Sequence, residues 1–155
     1  MKIKSTLRRF PVGLLLITLL SACSEPEFVD AEGNQFDWQD FQGQWLVVNF
    51  WAEWCAPCRD EIPELNYLHT GAEQRVLGVN FDQPELTELQ RQIDALAVRF
   101  PVLHTEQQQR LKNLTPQVLP TTYVFDRQGL LQRTLVGPQT QASIEGAMSV
   151  GKGEK

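Results

Sequence analysis

Residues 48–65 read VNFWAEWCAPCRDEIPEL. The first of them continue an apolar run from Leu46 that is rich in β-branched and aromatic side chains, which is typical of a central strand covered on both faces. The later ones place apolar side chains about three positions apart and predict a helix over 56–69. Cys55 and Cys58 therefore lie where a buried strand leads into a helix.

The rest of the chain alternates between strand and helix patterns. A second apolar run over 76–81 completes a β-α-β unit, and the apolar steps of three and four over 86–100 predict an amphipathic helix. The runs 121–125 and 130–136 flank a turn with a glycine and predict an antiparallel hairpin, followed by a short helix over 140–148. Together these patterns predict an α/β fold with a mixed sheet flanked by helices.

An N-terminal extension precedes this unit. Phe28–Val29 and Gln35–Phe36 flank a polar turn that contains Gly33 and predict a small β-hairpin. With 155 residues, 42% of them hydrophobic and 21% charged, the composition is that of an ordinary globular protein. We expect one domain over 28–150 and a polar tail over 151–155.

The N-terminus has the features of an exported protein. Four basic residues precede an apolar run over 12–20, which predicts a secretory signal peptide over 1–22. This run is shorter than the roughly 20 apolar residues that a membrane-spanning helix needs. An uncleaved anchor is the alternative.

The end of that run resembles the bacterial lipobox. Leu20-Ser21-Ala22-Cys23 has a large aliphatic residue and two small residues before a cysteine. The resemblance implies cleavage before Cys23, lipid on its sulfur, and a short lipidated tether over 23–27 in the periplasm. Ser24, beside Cys23, favours the outer membrane over the inner membrane as the destination.

The distribution of charge argues against nucleic acid as a partner. Four of the 14 basic residues lie in the first nine positions, and all 19 acidic residues follow position 24. The chain without residues 1–22 therefore carries a net charge of −9. A surface that acidic repels nucleic acid, because binding to a phosphate backbone needs clusters of Lys and Arg.

The position of the cysteine pair indicates redox chemistry. At a helix N-terminus, free backbone N–H groups and the helix dipole lower the pKa of the Cys55 thiol, and the thiolate is the form that attacks disulfides. Cys58 follows one turn later inside the helix, where we expect it to be more covered and to act as the resolving thiol. Pro57 stiffens the first turn without losing a needed hydrogen bond.

Two other interpretations of the pair are open. It can be half of a zinc site, although no second pair exists and the histidines, His69 and His104, lie far apart in the sequence. It can also be a structural disulfide, but such a short loop gains little entropic stabilisation. We therefore favour redox exchange, with no metal site.

Residues 48–65, taken with Leu119-Pro120-Thr121-Thr122, resemble the thioredoxin-like TlpA/ResA family of periplasmic thiol:disulfide oxidoreductases. The resemblance implies the thioredoxin fold and a redox-active Cys55–Cys58 disulfide without another cofactor. It also implies a cis Pro120, with the backbone of Leu119 and Thr121 placed to pair with an incoming chain. An ordinary trans proline is the alternative.

The resemblance implies roles for further residues. Trp54 and Trp51 would frame the disulfide, although core packing alone explains Trp51. Glu61 matches an acidic residue of the family pattern, and with a raised pKa it would take the proton of Cys58 during exchange. Asn49 stands where ordinary thioredoxins carry a buried aspartate. The alternative for Glu61 is a first-turn carboxylate that stabilises the helix end.

The family also implies a direction of electron flow. A DsbD-type membrane carrier would reduce the pair, and the dithiol would then reduce disulfides of exported proteins. The approach to Pro120 lacks the signature of dedicated haem-maturation reductases, so a narrow role in cytochrome c maturation is not favoured. The alternatives are a disulfide oxidant or isomerase, and a redox-gated binding module that holds a partner in the groove beside Pro120.

Overall fold

The computed structural model describes residues 26–104, 111 and 113–149. The predicted signal peptide over 1–22, Cys23 and the predicted tail over 151–155 lie outside these residues. The described part contains six strands and three α-helices: β1 (Phe28–Val29), β2 (Gln35–Phe36), β3 (Trp45–Trp51), α1 (Ala56–His69), β4 (Gln74–Asn80), α2 (Leu86–Ala95), β5 (Thr121–Phe125), β6 (Leu131–Val136) and α3 (Gln141–Ser149).

The main sheet has four strands in the order β4-β3-β5-β6. β3 is parallel to β4 and antiparallel to β5, and β5 is antiparallel to β6. Helix α1 connects the two parallel strands, as a crossover between such strands requires. The predicted mixed sheet with flanking helices is confirmed.

β3 is the centre of the sheet, and all seven of its residues are buried. Val47 and Trp51 belong to one apolar cluster with residues of α1 and α3, whereas Val48 and Phe50 belong to a second cluster on the opposite face. This alternation follows from the two-residue period of a strand. It places Asn49 on the face that α1 covers.

The helix predicted over 86–100 is wrong at its C-terminal end. α2 ends at Ala95, and Ala97 adopts a positive φ of 52° that turns the chain away from the helix. Phe100 is buried, but its ring lies over Gly78 in β4, where a Cβ would be only 2.8 Å from it. The helical spacing of Phe100 therefore reflects packing on the sheet.

The predicted N-terminal hairpin is confirmed by antiparallel pairing of β1 with β2. A short 3-10 helix over Trp38–Phe41, which the sequence did not predict, follows it. The Glu27 backbone N–H donates to Oδ1 of Asp37 at 2.6 Å, and the Trp38 N–H donates to Oε2 of Glu27 at 3.1 Å. Glu27 is thereby hydrogen-bonded to the start of the 3-10 helix.

Candidate active site

The cysteine pair lies at the start of α1. Cys55 is the N-cap residue, and a disulfide joins it to Cys58 across a Cα–Cα distance of 5.2 Å. The Cys58 backbone N–H donates to the Cys55 sulfur at 3.3 Å. Pro57 stands in the first turn, where the helix needs no N–H donor. The sequence-based placement of both cysteines is confirmed.

This geometry favours a charged sulfur on Cys55 in the reduced protein. The sulfur occupies the position of a capping acceptor, where free N–H groups and the positive end of the helix dipole stabilise an anion. Cys55 is 4% exposed and Cys58 is 1% exposed, so Cys58 is the more covered, but by a small margin. A thiolate held in this way is the reactive form in disulfide exchange.

Glu61 lies one turn after Cys58 in α1 and is 1% exposed. Its Oε1 accepts a hydrogen bond from Nδ2 of Asn49 at 2.7 Å, and its Oε2 accepts the Gln139 backbone N–H at 2.8 Å. Burial raises the pKa of Glu61 from 4.5 to about 7, although both hydrogen bonds act to lower it. A carboxyl group with this pKa can gain and lose a proton near neutral pH.

The alternative role for Glu61, a first-turn carboxylate at the helix end, is wrong. The first turn of α1 contains no acidic residue, and Glu61 lies deeper in the helix with its side chain turned into the protein. Its partners are on β3 and on the segment before α3. It therefore does not cap α1.

Sequence reasoning missed the partners of Glu61. Asn49, which stands where ordinary thioredoxins carry a buried aspartate, donates from Nδ2 to Glu61 and also to Oγ1 of Thr122 at 3.0 Å. A single polar residue in an otherwise apolar central strand was the available signal. Nothing in the sequence pointed to Gln139, because the contact uses its backbone N–H.

The Leu119–Pro120 peptide bond is cis, and β5 begins at the next residue. Thr121 lies opposite Phe50, near the end of β3 that leads to Cys55. This register places Pro120 at the same end of the strands as the disulfide. Leu119 is half-buried between the two apolar clusters.

Thr121 is less accessible than the preceding residues. It is 2% exposed, and its hydroxyl donates to the carbonyl of Val118 at 2.7 Å. Val118 itself is 55% exposed. An incoming chain therefore meets Val118 and Leu119 before it meets the Thr121 side chain.

The two tryptophans differ in their surroundings. Trp51 is fully buried in the cluster that contains both cysteines, whereas Trp54 is 64% exposed. Of the pair predicted to frame the disulfide, only Trp54 offers a surface that another protein can touch. Arg59, two residues before Glu61, donates to the carbonyl of Glu53 at 3.0 Å and helps to hold the turn before Cys55.

The described residues contain neither a cluster of metal-ligating side chains nor a membrane-spanning helix. Within 26–104, 111 and 113–149, no group of three or more His, Cys, Asp or Glu side chains is arranged to hold a metal ion. In the same part of the chain, no helix has the length and apolar character needed to cross a bilayer.

Comparison with known proteins identifies the family. Residues 21–134 match the AhpC/TSA family. The chain belongs to the AhpC/TSA family. One relative is the thiol-disulfide oxidoreductase ResA of Geobacillus kaustophilus (strain HTA426). It is 30% identical to this chain over 125 residues, which cover 77% of this chain and 71% of ResA. The thioredoxin-like protein YneN of Bacillus subtilis (strain 168) is 32% identical over 117 residues, covering 73% and 68%.

Solved structures extend the family likeness to the fold. StoA from Bacillus subtilis superposes with a TM-score of 0.65 at 22% identity, covering 77% of this chain and 92% of StoA. An exposed lipoprotein thioredoxin from Streptococcus pneumoniae strain TIGR4 gives a TM-score of 0.66 at 22% identity, covering 77% and 93%. The predicted thioredoxin fold is confirmed. With the Cys55–Cys58 pair, this member of the AhpC/TSA family is a thiol-disulfide oxidoreductase.

Proposed function

We propose that the protein is a lipid-anchored periplasmic reductase that passes electrons from the Cys55–Cys58 dithiol to disulfides of exported proteins. The observation that carries the proposal is the Cys58 N–H bond to the Cys55 sulfur at the N-terminus of α1. It supports Cys55 as the nucleophile, because this hydrogen bond and the helix N-terminus stabilise the thiolate, the form that attacks disulfides.

The reduction is a two-step exchange. The Cys55 thiolate attacks one sulfur of the target disulfide, and a mixed disulfide forms as the other target sulfur leaves and takes a proton. Cys58 then loses its proton, attacks the Cys55 sulfur and releases the second target sulfur as a thiol. The target gains two electrons and two protons, and the enzyme disulfide is restored without a further cofactor.

Glu61 is the proposed acid/base group for Cys58. The two residues are three positions apart on α1 and so lie on the same side of the helix. A pKa of about 7 lets Glu61 accept the Cys58 proton in the second step and return it when the enzyme is reduced again. Burial of the carboxyl group limits the exchange of that proton with solvent.

The proposed substrate surface lies around the disulfide. Trp54 supplies an exposed aromatic face, and the backbone of Leu119 and Thr121 beside Pro120 would pair with an extended target segment. Leu119 is half-buried and Val118 is exposed, which supports contact of the target segment with these two residues on the N-terminal side of Pro120.

The proposed location follows from the N-terminal sequence. Cys23 would carry the lipid, and Ser24 favours the outer membrane. Similarity to a structure described as an exposed lipoprotein supports a lipid anchor outside the cytoplasm. Because the periplasm is oxidising, a reductase there needs a dedicated electron supply, for which we propose a DsbD-type membrane carrier.

The redox potential tests the direction of electron flow. We expect equilibration of the full-length protein with glutathione to give a redox potential of about −250 mV. We also expect the protein to catalyse the reduction of insulin disulfides. A potential of about −120 mV would instead identify a disulfide oxidant.

Two variants test the other parts of the proposal. If the double variant Cys55→Ser, Cys58→Ser still fulfilled the cellular task, a binding module would be indicated. Loss of membrane association in Cys23→Ala tests the anchor.

A further inference from the structure

Asn49 is the one polar residue among the seven of β3, and its side chain is completely buried. It faces the side of the sheet that α1 covers, together with Val47 and Trp51. A buried amide in a central strand is costly unless it is hydrogen-bonded. Its contacts therefore show what keeps it there.

The Asn49 amide links the two halves of the active site. Its Nδ2 donates to Oε1 of Glu61 at 2.7 Å and to Oγ1 of Thr122 at 3.0 Å. Glu61 is one turn past Cys58, and Thr122 is two residues past Pro120. One side chain thus connects the nucleophile helix to the strand that follows the cis proline.

The orientation of this amide depends on Glu61. An ionised carboxylate only accepts hydrogen bonds, so it must face the NH₂ side of Asn49 and not Oδ1. The Thr122 hydroxyl can donate or accept and imposes no such choice. In this orientation Asn49 Oδ1 is buried and has no hydrogen-bond partner among the described residues. The Asn49 amide is therefore oriented to donate to Glu61, although its own oxygen has no hydrogen-bond partner among the described residues.

We propose that Asn49 is a positioning residue whose amide fixes the Glu61 carboxylate beside Cys58 and sets the pH at which Glu61 exchanges its proton. Among the described residues, the side-chain hydrogen bonds of Asn49 go to Glu61 and Thr122 and not to the cysteines, so Asn49 acts through Glu61. Its effect on disulfide exchange rests on the proposed acid/base role of Glu61, whereas its effect on the Glu61 proton does not.

No other charged side chain is among the causes of the raised pKa of Glu61. Glu61 is hydrogen-bonded to β3 and to the segment before α3, and its helix packs against β4 and α3. The titratable or charged side chains on these elements are Cys55, Cys58, Arg59, Asp60, Glu64, Tyr67 and His69 on α1 and its cap, Arg75 on β4 and Glu145 on α3; Arg133 lies on β6, which α3 also contacts. Oε2 of Glu64 accepts the Gln141 N–H, and Arg133 and Glu145 are exposed. Burial and the bonds from Asn49 and the Gln139 backbone set the pKa of Glu61. Of these, only the bond from Asn49 belongs to a side chain that can be replaced.

The test is a direct titration of Glu61 in variants of the full-length protein. Asn49→Leu keeps the approximate volume but removes the donor to Glu61. Loss of a hydrogen bond to the charged form raises the titration midpoint, and we expect a rise of about one to two pH units. The probe is the side-chain carboxyl signal of ¹³C-labelled glutamate in NMR spectra, assigned by its loss in Glu61→Gln.

Thr122→Val is the matched control. It removes the other partner of the same amide, is nearly isosteric, and leaves the Asn49 bond to Glu61 in place. We expect it to leave the Glu61 midpoint where it is in the unaltered protein. An unchanged midpoint in Asn49→Leu, or an equal shift in Thr122→Val, would overturn the proposal.

A second variant covers the case in which Asn49→Leu does not fold. Asn49→Asp keeps the size and the contact with Thr122 but puts a second carboxyl group against Glu61. Two such groups cannot both ionise freely, so we expect two coupled titration steps, one above the original midpoint. A single Glu61 step at the original midpoint in folded Asn49→Asp contradicts the positioning role.

The pH profile of insulin reduction separates this proposal from the proposed function. If Glu61 is the acid/base group, the midpoint of the profile moves with the Glu61 titration, and the rate at pH 7 falls by roughly 5- to 50-fold in Asn49→Leu. In a Glu61→Gln background the same substitution then adds no further shift. A moved titration with an unmoved activity profile supports Asn49 as the positioning residue and contradicts the role of Glu61 in exchange.

Discussion

The indole Nε1–H of Trp54 donates a 2.8 Å hydrogen bond to Oδ2 of Asp82, in the loop after β4. This bond is one end of a continuous polar chain that returns to Glu53, the residue before Trp54. In order, the chain runs through Trp54, Asp82, Asn80, Gln92, Glu88, Arg91 and Glu53. The turn that precedes the nucleophile is thereby held from both sides, by Asp82 in the loop after β4 and by Arg91 in α2.

Asp82→Ala tests whether this contact orients Trp54 for substrate binding. Without its acceptor the exposed indole loses a fixed orientation, and the energy of one such bond corresponds to a rise of about 3- to 10-fold in KM for a peptide disulfide. We expect kcat to change little, because Cys55 and Glu61 are untouched. Steady-state kinetics with a disulfide-bonded peptide measure both constants.

Asp82→Asn is the conservative control for this experiment. Its side-chain oxygen still accepts from the indole, so KM should return close to that of the unaltered protein. Equal KM values in Asp82→Ala and the unaltered protein would show that Trp54 needs no help from Asp82.

Glu61→Gln is expected to slow the reduction of insulin disulfides at pH 7 by about 100-fold, the lower end of what general acid–base catalysis contributes. The amide keeps the size of the side chain but cannot accept the Cys58 proton. The initial attack by Cys55 does not use Glu61, so the formation of the mixed disulfide should be spared. Stopped-flow measurement of each step, over pH 5 to 9, locates the loss, and an unaltered second step would contradict the proposed role.

Local patterns were sufficient to predict the elements that present the cysteines. The apolar run of β3 and the spacing within α1 are properties of adjacent residues, and both survive in the structure. The partners of Glu61 depend instead on how distant segments meet: Gln139 is 78 positions from it in the sequence. Thr122 is likewise 73 positions from Asn49.

The error at Phe100 has the same origin. Its spacing from the apolar residues of α2 imitates a helix, whereas its ring packs on Gly78 in β4. A periodic pattern records which residues are buried, but it does not record which element buries them. The sequence could therefore predict the cysteines and their helix, but not the network that tunes Glu61.

Gly78→Ala measures how tightly that region is packed. A Cβ at Gly78 would lie 2.8 Å from the Phe100 ring, 3.0 Å from Val102 and 3.1 Å from Nε1 of Trp51. Overpacking of a filled core typically costs about 1–3 kcal/mol, and we expect a loss of that size in the free energy of unfolding. Urea denaturation followed by circular dichroism gives the value.

Gly146→Ala is the matched control, because a Cβ at Gly146 in α3 meets no atom within 4 Å. Alanine is favoured over glycine inside a helix by up to about 1 kcal/mol, so this variant should be more stable than the unaltered protein. A loss of stability of equal size in both variants would contradict the packing argument for Gly78.

The raised pKa of Glu61 also predicts a pH dependence of stability. Between pH 4.5 and a pH of about 7, the folded protein holds the proton of the Glu61 carboxyl group more tightly than the unfolded chain does. Its stabilising effect is therefore complete below pH 4.5 and is lost as the pH rises to about 7, an effect on the order of 3 kcal/mol. Glu61→Gln should remove most of it, so the variant gains stability relative to the unaltered protein between pH 5 and pH 8. Urea denaturation of both oxidised proteins at the two pH values checks this, and a constant difference between them contradicts it.

Cys58→Ser tests the assignment of the two sulfurs. Without the resolving thiol, the mixed disulfide on Cys55 cannot be released, so targets should accumulate as covalent complexes visible on non-reducing gels. Cys55→Ser is the control, because Cys58 lies inside α1 and lacks the N-cap position that stabilises a thiolate on Cys55, so it should trap far fewer partners. Equal trapping by both variants would contradict Cys55 as the nucleophile. Because each complex retains its target, mass spectrometry of the Cys58→Ser adducts also identifies the proteins that the enzyme reduces.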